Sequence, residues 1–263
     1  MRSSMKWLVV FCLLLASTNM VSAQLARPVA SDFDGDGTTD RAVYYPPLGN
    51  WYIWQSQSQS AKTIQWGFPG TEPVAADYDG DHITDVAVFY PPSGQWFIWE
   101  SASQSSRIVQ WGFYDAIPVP GDYDGDGRAD PAVYYPLAGT WYILESSSGN
   151  MRTTQWGYLQ AEPTPGYYDD DAKLDPGVYG TDSGNWYVLP GNDPDGATYF
   201  AAGFGLMDFP LVGYFDSDQL TDLAIYSLVN MSGGIEARWW LYESIVGYSS
   251  YSYTSWGFGA AEP

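Results

Sequence analysis

Short runs of alternating apolar and polar residues return along the chain every 45 residues, separated by segments rich in glycine, proline and serine. In the second repeat these runs occupy 73–77, 85–90, 95–101 and 107–112. Alternation with a period of two is typical of a β-strand with one buried face, and the intervening P-P-S-G and Ser-rich segments are typical of turns. The pattern therefore predicts four short antiparallel strands in each repeat.

Five such repeats follow one another, and a proline marks the same phase in each. The prolines are Pro28, Pro73, Pro118, Pro163 and Pro210, and the predicted repeats are 28–72, 73–117, 118–162, 163–209 and 210–263. Four strands in about 45 residues is the size of a β-propeller blade. We therefore expect an all-β fold, a β-propeller of five four-stranded antiparallel blades, forming a single domain over residues 24–263. A ring closed by the five blades and a ring completed by self-association both fit this pattern.

Two series of tryptophans repeat with the same phase. The first opens the predicted third strand and the second ends the fourth. The first consists of Trp51, Trp96, Trp141, Trp186 and Trp239, and the second of Trp66, Trp111, Trp156 and Trp256, with Ala202 in the missing place. Aliphatic residues share the strand face of the first series, which predicts a core role for it. The second series lies at a strand end before a loop, where packing between blades and stacking against a sugar ring remain alternatives.

An aspartate-rich nonapeptide joins the first two predicted strands of each repeat. It reads D-F-D-G-D-G-T-T-D at 32–40, D-Y-D-G-D-H-I-T-D at 77–85 and D-Y-D-G-D-G-R-A-D at 122–130. Carboxylates at positions 1, 3, 5 and 9, with the carbonyl of position 7, offer the hard oxygen ligands that Ca²⁺ prefers. The candidate carboxylates are Asp32, Asp34, Asp36, Asp40, Asp77, Asp79, Asp81, Asp85, Asp122, Asp124, Asp126 and Asp130, and the candidate carbonyls belong to Thr38, Ile83 and Arg128. Valine stands at the twelfth position, where an EF-hand needs glutamate, so we expect calcium loops within β-hairpins.

Two eroded copies of the loop occupy 167–175 and 214–222, where Tyr167 and Tyr214 replace the first carboxylate. Their weaker candidate ligands are Asp169, Asp171, Asp175, Asp216, Asp218 and Asp222. Ala172 and Gln219 also occupy the sixth position, a tight turn that favours glycine. We therefore expect Ca²⁺ at about three sites, and at up to five.

His82 is the only histidine of the chain, and it occupies the sixth position of the second loop. Histidine is among the residues enriched at positive φ, so we expect a turn role for it and no catalytic role.

Charge and cysteine content narrow the class of protein. The chain has 31 acidic and 10 basic residues, which makes nucleic acid an unsuitable partner, and the clustering of acids in the loops favours a bound cation. Residues 1–23 combine basic residues, a short apolar run and small residues before Gln24, which predicts a signal peptide and secretion without a membrane span. The single cysteine, Cys12, lies in that segment, so thiolate metal sites and disulfides are excluded from the rest of the chain.

The units D-Y-D-G-D-G-R-A-D-P-A-V-Y-Y-P and D-F-D-G-D-G-T-T-D-R-A-V-Y-Y-P resemble the FG-GAP repeats of integrin α-subunit propellers and the related VCBS repeats of secreted bacterial proteins. The resemblance covers nearly all of the chain from about Pro28 onward. It implies that the acidic loop joins the first two strands of a blade and binds calcium. It also implies adhesion or ligand binding, since propeller lectins with similar loops bind sugars between blades.

These observations together predict a secreted, non-catalytic binding or adhesion module for an extracellular glycan or protein. One alternative is an enzyme acting on polysaccharide through paired carboxylates. The acids outside the loops include Glu100, Glu145 and Glu243, which recur at equivalent positions, as blade structure would require, and this recurrence disfavours that alternative. Another is a structural assembly module. Six extra residues around 230–234 of the fifth repeat predict a loop insertion, either tolerated or used in recognition.

Overall fold

The computed structural model describes residues 26–159, 161–191, 197–199, 208–215, 218–231, 234–244 and 252–255. Within these ranges only the backbone is described at 197–199, 208, 227–231, 234–239 and 252–255. The predicted signal peptide, Ala202, Asp216 and Trp256 lie outside the described residues, as does the side chain of Trp239. No helix in the described part of the chain combines the length and apolar character needed to cross a membrane.

In the described part of the chain, twenty strands form five four-stranded antiparallel sheets, and each sheet takes four strands that are consecutive in the chain. The first two sheets contain β1 (Arg27–Ser31), β2 (Asp40–Tyr45), β3 (Asn50–Gln55) and β4 (Ser60–Gln65), then β5 (Glu72–Pro73), β6 (Val86–Tyr90), β7 (Gln95–Glu100) and β8 (Ser105–Gln110). The third and fourth contain β9 (Ile117–Pro118), β10 (Ala132–Tyr135), β11 (Thr140–Leu144) and β12 (Met151–Gln155), then β13 (Ala161–Pro163), β14 (Gly177–Gly180), β15 (Asn185–Val188) and β16 (Ala197–Tyr199). The fifth contains β17 (Asp208–Gly213), β18 (Asp222–Met231), β19 (Gly234–Tyr242) and β20 (Ser252–Ser255). The predicted all-β fold of five four-stranded propeller blades is confirmed.

The central pair of strands has the same register in every blade, and it places an aromatic residue opposite the first tryptophan of the blade. In the fifth blade Tyr226 lies opposite Trp239 in the strand register. In the first four blades the pairs are Tyr44 with Trp51, Phe89 with Trp96, Tyr134 with Trp141 and Tyr179 with Trp186. Their ring centroids lie 4.9 to 5.2 Å apart. All four tryptophans are fully buried, which confirms the predicted core role for these members of the series. Buried aromatic pairs of this kind contribute about 0.5–1.5 kcal/mol each beyond their burial.

The chain divides into two compact units, one formed by residues up to 121 with 127–131, and the other by 122–126 with the residues from 132 onward. In the first unit, the core joins one face of the first blade, including Trp51 and Ile53, to Val86 and Val88 of the second blade. In the second unit, Trp186 and Val188 of the fourth blade pack with a group from the fifth blade. That group is Leu223, Ile225, Trp240 and Tyr242. Within each unit the core therefore lies between successive blades.

The first strand of a blade is long in two blades and interrupted in the other three. β1 and β17 are continuous, whereas β5, β9 and β13 stop after two or three residues and resume as isolated bridges, such as that between Ala76 and Asp85. The predicted strand at 73–77 is therefore too long. The hydroxyl of Tyr78 donates to the Val74 carbonyl at 2.6 Å, and this bond competes with the backbone hydrogen bonds between the first two strands of the blade. In the fourth blade Tyr168 does the same to Thr164 at 2.7 Å. Tyr78 and Tyr168 stand at the second position of their acidic loops. The loops that follow the two continuous strands have phenylalanine at that position, Phe33 and Phe215.

The extra residues of the fifth repeat lengthen a hairpin instead of forming the predicted loop insertion. β18 and β19 stay paired in register up to Met231 opposite Gly234. The extension continues the ladder because pairing satisfies the backbone groups of the added residues.

Candidate metal loops and binding clefts

Each complete acidic loop wraps around its own first carboxylate. The amides of Gly35 and Gly37 donate to the two oxygens of Asp32 at 2.7 and 2.8 Å. In the second loop Gly80 and His82 donate in the same way to Asp77, at 2.6 and 2.8 Å. His82 is exposed and has a φ of 67°, which confirms its predicted turn role. In the third loop, Gly125 and Asp126 donate to Asp122 at 2.6 and 3.1 Å.

The carboxylate at position 9 is buried and joins two segments of the blade. The oxygens of Asp85 accept the amides of Tyr78 at 2.9 Å and Ser101 at 2.6 Å, so the acidic loop is tied to the turn between the last two strands. Asp40, Asp175 and Asp222 accept the equivalent pairs of amides. Asp130 is equally buried. Burial raises the pKa of Asp85 to about 6 and that of Asp175 to about 7, because a desolvated carboxylate is costly to ionise.

Serines in the turn between the last two strands contact four of the five acidic loops, and these residues were not among the predicted site residues. Ser56 donates its hydroxyl to Asp36 at 2.8 Å, and this bond lowers the pKa of that exposed carboxyl. Ser101, Ser146 and Ser244 contact Asp81, Asp126 and Asp218 in the same way. The turn amides of Gln57, Ala102 and Ser147 donate to Asp34, Asp79 and Asp124 at 3.1, 2.9 and 3.1 Å. The recurrence of serine at one phase of the repeat was the signal that could have revealed these contacts.

Carboxylate oxygens converge in four of the described loops. In each of them three oxygens lie within 4.8 Å of one another, and the sets are Asp32 with Asp34 and Asp36, Asp77 with Asp79 and Asp85, Asp122 with Asp124 and Asp130, and Asp169 with Asp171 and Asp175. Asp34 supports a metal at this point, because its Oδ1 is buried and has no hydrogen-bond partner. An all-oxygen set of this kind suits Ca²⁺. The residues present therefore fit the predicted ion, and positions 1, 3 and 5 of the first loop would hold it.

Successive loops are also linked to one another through position 8. The amide of Thr84 donates to the Asp32 carbonyl at 2.8 Å, and Ala129 donates to the Asp77 carbonyl at 2.6 Å. Leu174 and Thr221 repeat the link to Asp122 and Tyr167, each at 2.7 Å. The position-7 side chain lies over the fourth position of the preceding loop, as with Ile83 over Gly35. Thr38 and Ile83, whose carbonyls were predicted as metal ligands, donate their backbone amides to the carboxylates of Asp36 and Asp81.

Two described members of the second tryptophan series contact the next blade and are partly exposed. The indole N–H of Trp66 donates to the Phe97 carbonyl of the next blade at 2.9 Å, and its ring lies 5.4 Å from that of Trp99. Trp156 donates to the Tyr187 carbonyl at 3.1 Å. Trp111 is partly exposed like the other two. Trp66 and Trp156 thus combine a contact with the next blade and a surface that a ligand can reach.

Two cavities stand out in the described residues. One, of about 760 Å³, lies between the first two blades and is lined by Trp66, Trp99, Gln55, Gln57, Lys62 and Gln104, among others. The other, of about 670 Å³, lies between the fourth and fifth acidic loops, where Tyr167 and Tyr214 meet several carboxylates.

No protein-family model matches the chain, and no curated protein matches it. Among solved structures, it is similar at 12% identity to a chain of the mitotic checkpoint complex, with a TM-score of 0.47 over 88% of this chain and 83% of that one. It is also similar at 16% identity to the Vibrio cholerae biofilm matrix protein Bap1, with a TM-score of 0.33 over 83% of this chain and 37% of that one. A chain of the Saccharomyces cerevisiae core factor aligns at 7% identity, with a TM-score of 0.36 over 89% of this chain and 50% of that one. At these values no function transfers from any of the three.

Proposed function

We propose that this protein is a secreted, non-catalytic binding module that holds calcium in its acidic loops and recognises a glycan in the cleft between the first two blades. The observation that carries the proposal is the composition of that cleft. Two partly exposed tryptophan rings line it, together with four glutamine side chains and a lysine. The C–H face of a sugar ring packs on an aromatic ring, while its hydroxyls need paired donors and acceptors such as primary amides.

A difference between repeats makes the first cleft chemically distinct. In the second blade Glu100 and Arg107 form an ion pair at 2.7 Å, and Glu145 and Arg152 lie 3.7 Å apart in the third. The first blade has Gln55 and Lys62 at the same places. Its polar groups are therefore not committed to an ion pair and suit the hydroxyls, or a carboxylate, of a sugar.

Calcium has a structural task in this proposal. The acidic loops position the turns that carry Gln57 and Gln104. Asp34 and Asp40 accept amides from the turn of the first blade, and Asp79 and Asp85 accept amides from the turn of the second. An ion bound by Asp32, Asp34 and Asp36 would offset their mutual repulsion and fix the loop, and with it one wall of the cleft.

A glycan array probed with the full chain, once in calcium and once in EDTA, tests the proposal. We expect binding to one sugar class in calcium, and Gln57→Ala should weaken that binding about tenfold. The variant should keep the melting temperature, because Ala102 occupies the equivalent position and makes the same backbone contact. An array without hits beside capture of a protein partner would contradict the glycan assignment. Hydrolysis of a bound oligosaccharide would contradict the non-catalytic role.

A further inference from the structure

The chain covers two of its acidic loops with its own basic side chains. At position 7 of the third loop, the stem of Arg128 lies against Gly80 of the second loop, so closely that an added Cβ would be 2.9 Å from its Cγ. At position 7 of the fourth loop, the stem of Lys173 lies in the same way against Gly125 of the third loop, with a corresponding distance of 3.2 Å. A cationic side chain from one loop therefore lies over the acidic loop before it.

The junction of the fourth and fifth loops departs from this arrangement in two ways. Position 7 is Leu220 in place of a basic residue, and position 4 of the preceding loop is Asp170 in place of glycine. Acidic charge is thus added at this junction, and the covering cation of the two preceding junctions is replaced by an apolar residue. The cavity of about 670 Å³ lies here.

The lining of this cavity combines aromatic and anionic groups. Tyr167 and Tyr214 stand where the first three loops have their first carboxylate, and Tyr214 is 56% exposed. Asp169, Asp170, Asp171 and Asp218 also line the cavity, and none of the described residues that line it is a lysine, arginine or histidine. Aromatic faces attract cations through the ring quadrupole, and carboxylates accept charge-assisted hydrogen bonds from ammonium and guanidinium groups.

We propose that this cavity binds an organic cation, namely the ammonium or guanidinium end of a lysine or arginine side chain presented by a protein partner. The incoming group takes the place that Arg128 and Lys173 occupy at the two preceding junctions, and the alkyl stem packs against the tyrosines and Leu220. The site lies in the second compact unit and the glycan cleft in the first, so the inference does not rest on the proposed function.

The test is calorimetric titration of the calcium-saturated full chain with N-acetyl-lysine methylamide, N-acetyl-arginine methylamide and the neutral N-acetyl-norleucine methylamide. We expect both cationic ligands to bind about tenfold or more tightly than the neutral one, and their affinity to fall as salt is raised. Equal affinity for the three, or no binding of the cationic ligands in saturating calcium, overturns the proposal. Choline binding more tightly than either amino-acid derivative overturns the assignment to a protein side chain.

Variants localise the effect. Leu220→Lys restores the basic residue of the neighbouring junctions and should abolish binding of the lysine derivative by supplying an internal cation. Asp170→Asn changes an exposed side chain and should weaken binding about fivefold or more by removing one carboxylate. Tyr114→Leu, at an exposed tyrosine of the first unit, is the matched control and should leave affinity unchanged. Undiminished binding by both Leu220→Lys and Asp170→Asn overturns the site.

Discussion

At the scale of single residues, the buried aspartate at position 9 decides the shape of each acidic loop. The two oxygens of Asp85 receive amides from the loop and from a distant turn, which no neutral aliphatic side chain could do. Burial also removes the carboxyl from water, and this desolvation is the main cause of its raised pKa. A buried acid with such a pKa makes the stability of the metal-free protein depend on pH.

We predict that the free energy of unfolding of the chelated protein falls as pH rises from about 4 to about 7. Unfolded aspartate loses its proton near pH 4, whereas folded Asp85 and Asp175 retain theirs up to about pH 6 and 7. Within this window the folded state holds more protons than the unfolded state, so stability decreases with pH. Thermal melts in EDTA across the window measure the slope.

Asp85→Asn should flatten that slope, because it removes one of the groups that titrate differently in the two states. Asp115→Asn removes one charge from an exposed turn and serves as the control, which should keep the slope of the parent protein. A melting temperature that rises with pH in EDTA would show that these carboxyls are not desolvated as the structure indicates.

We also predict that Tyr78→Phe lowers the free energy of unfolding by about 1 kcal/mol, the usual net contribution of one hydrogen bond. The variant loses the 2.6 Å bond to the Val74 carbonyl while it keeps the buried ring. Urea denaturation of the variant and of the exposed control Tyr114→Phe measures the difference. Equal stability of Tyr78→Phe and the parent would mean that the Val74 carbonyl regains the ladder bond, as its counterpart Val29 pairs with Ala42 in β1.

At the scale of elements, the sequence predicts what the blades share and misses what separates them. Proline and tryptophan positions give the phase of all five sheets, since copies of one unit repeat the same local chemistry. The short β5 was unpredictable because it depends on where one tyrosine hydroxyl points. The lengthened hairpin of β18 and β19 was also missed, because glycine-rich residues are equally typical of a loop. The proposed glycan cleft depends on the exchange of an ion pair for Gln55 and Lys62, and the effect of this exchange is visible only in the packed blades.

At this scale we predict that Trp66→Leu weakens glycan binding about tenfold or more, whereas Trp156→Leu leaves it within about twofold. Both tryptophans bond a carbonyl of the next blade, so the two variants lose similar structural contacts. Of these two tryptophans, Trp66 alone lines the cleft between the first two blades. Calorimetric titration with the best glycan of the array, beside a melt of each variant, compares them. Equal losses for both would place recognition outside this cleft.

At the scale of the whole molecule, the number and location of the acidic residues make the stability of the fold depend on the cations in solution. The chain has a net charge of −21, and its acidic residues are concentrated in loops that bond to one another from blade to blade. Repulsion between close carboxylates opposes the compact state, and the backbone link between successive loops passes a disturbance of one loop to the next. Calcium in the loops is therefore expected to affect the melting of the entire protein and not of single turns.

We predict that excess EDTA lowers the melting temperature of the full chain and that calcium restores it. Extracellular calcium modules bind at roughly 10⁻⁴–10⁻³ M, so calcium at about ten times Kd adds about 1.4 kcal/mol for each occupied loop. Magnesium at the same concentration should restore less, since it demands a stricter octahedral geometry and keeps its waters. Sodium chloride of matched ionic strength is the control for screening of the loop charges. A transition that is unchanged in EDTA would refute the calcium assignment. Full recovery with sodium chloride alone would mean that screening of the loop charges, and not calcium binding, restores the melting temperature. Recovery specific to calcium would show that the loops bind the ion as their oxygen ligands require.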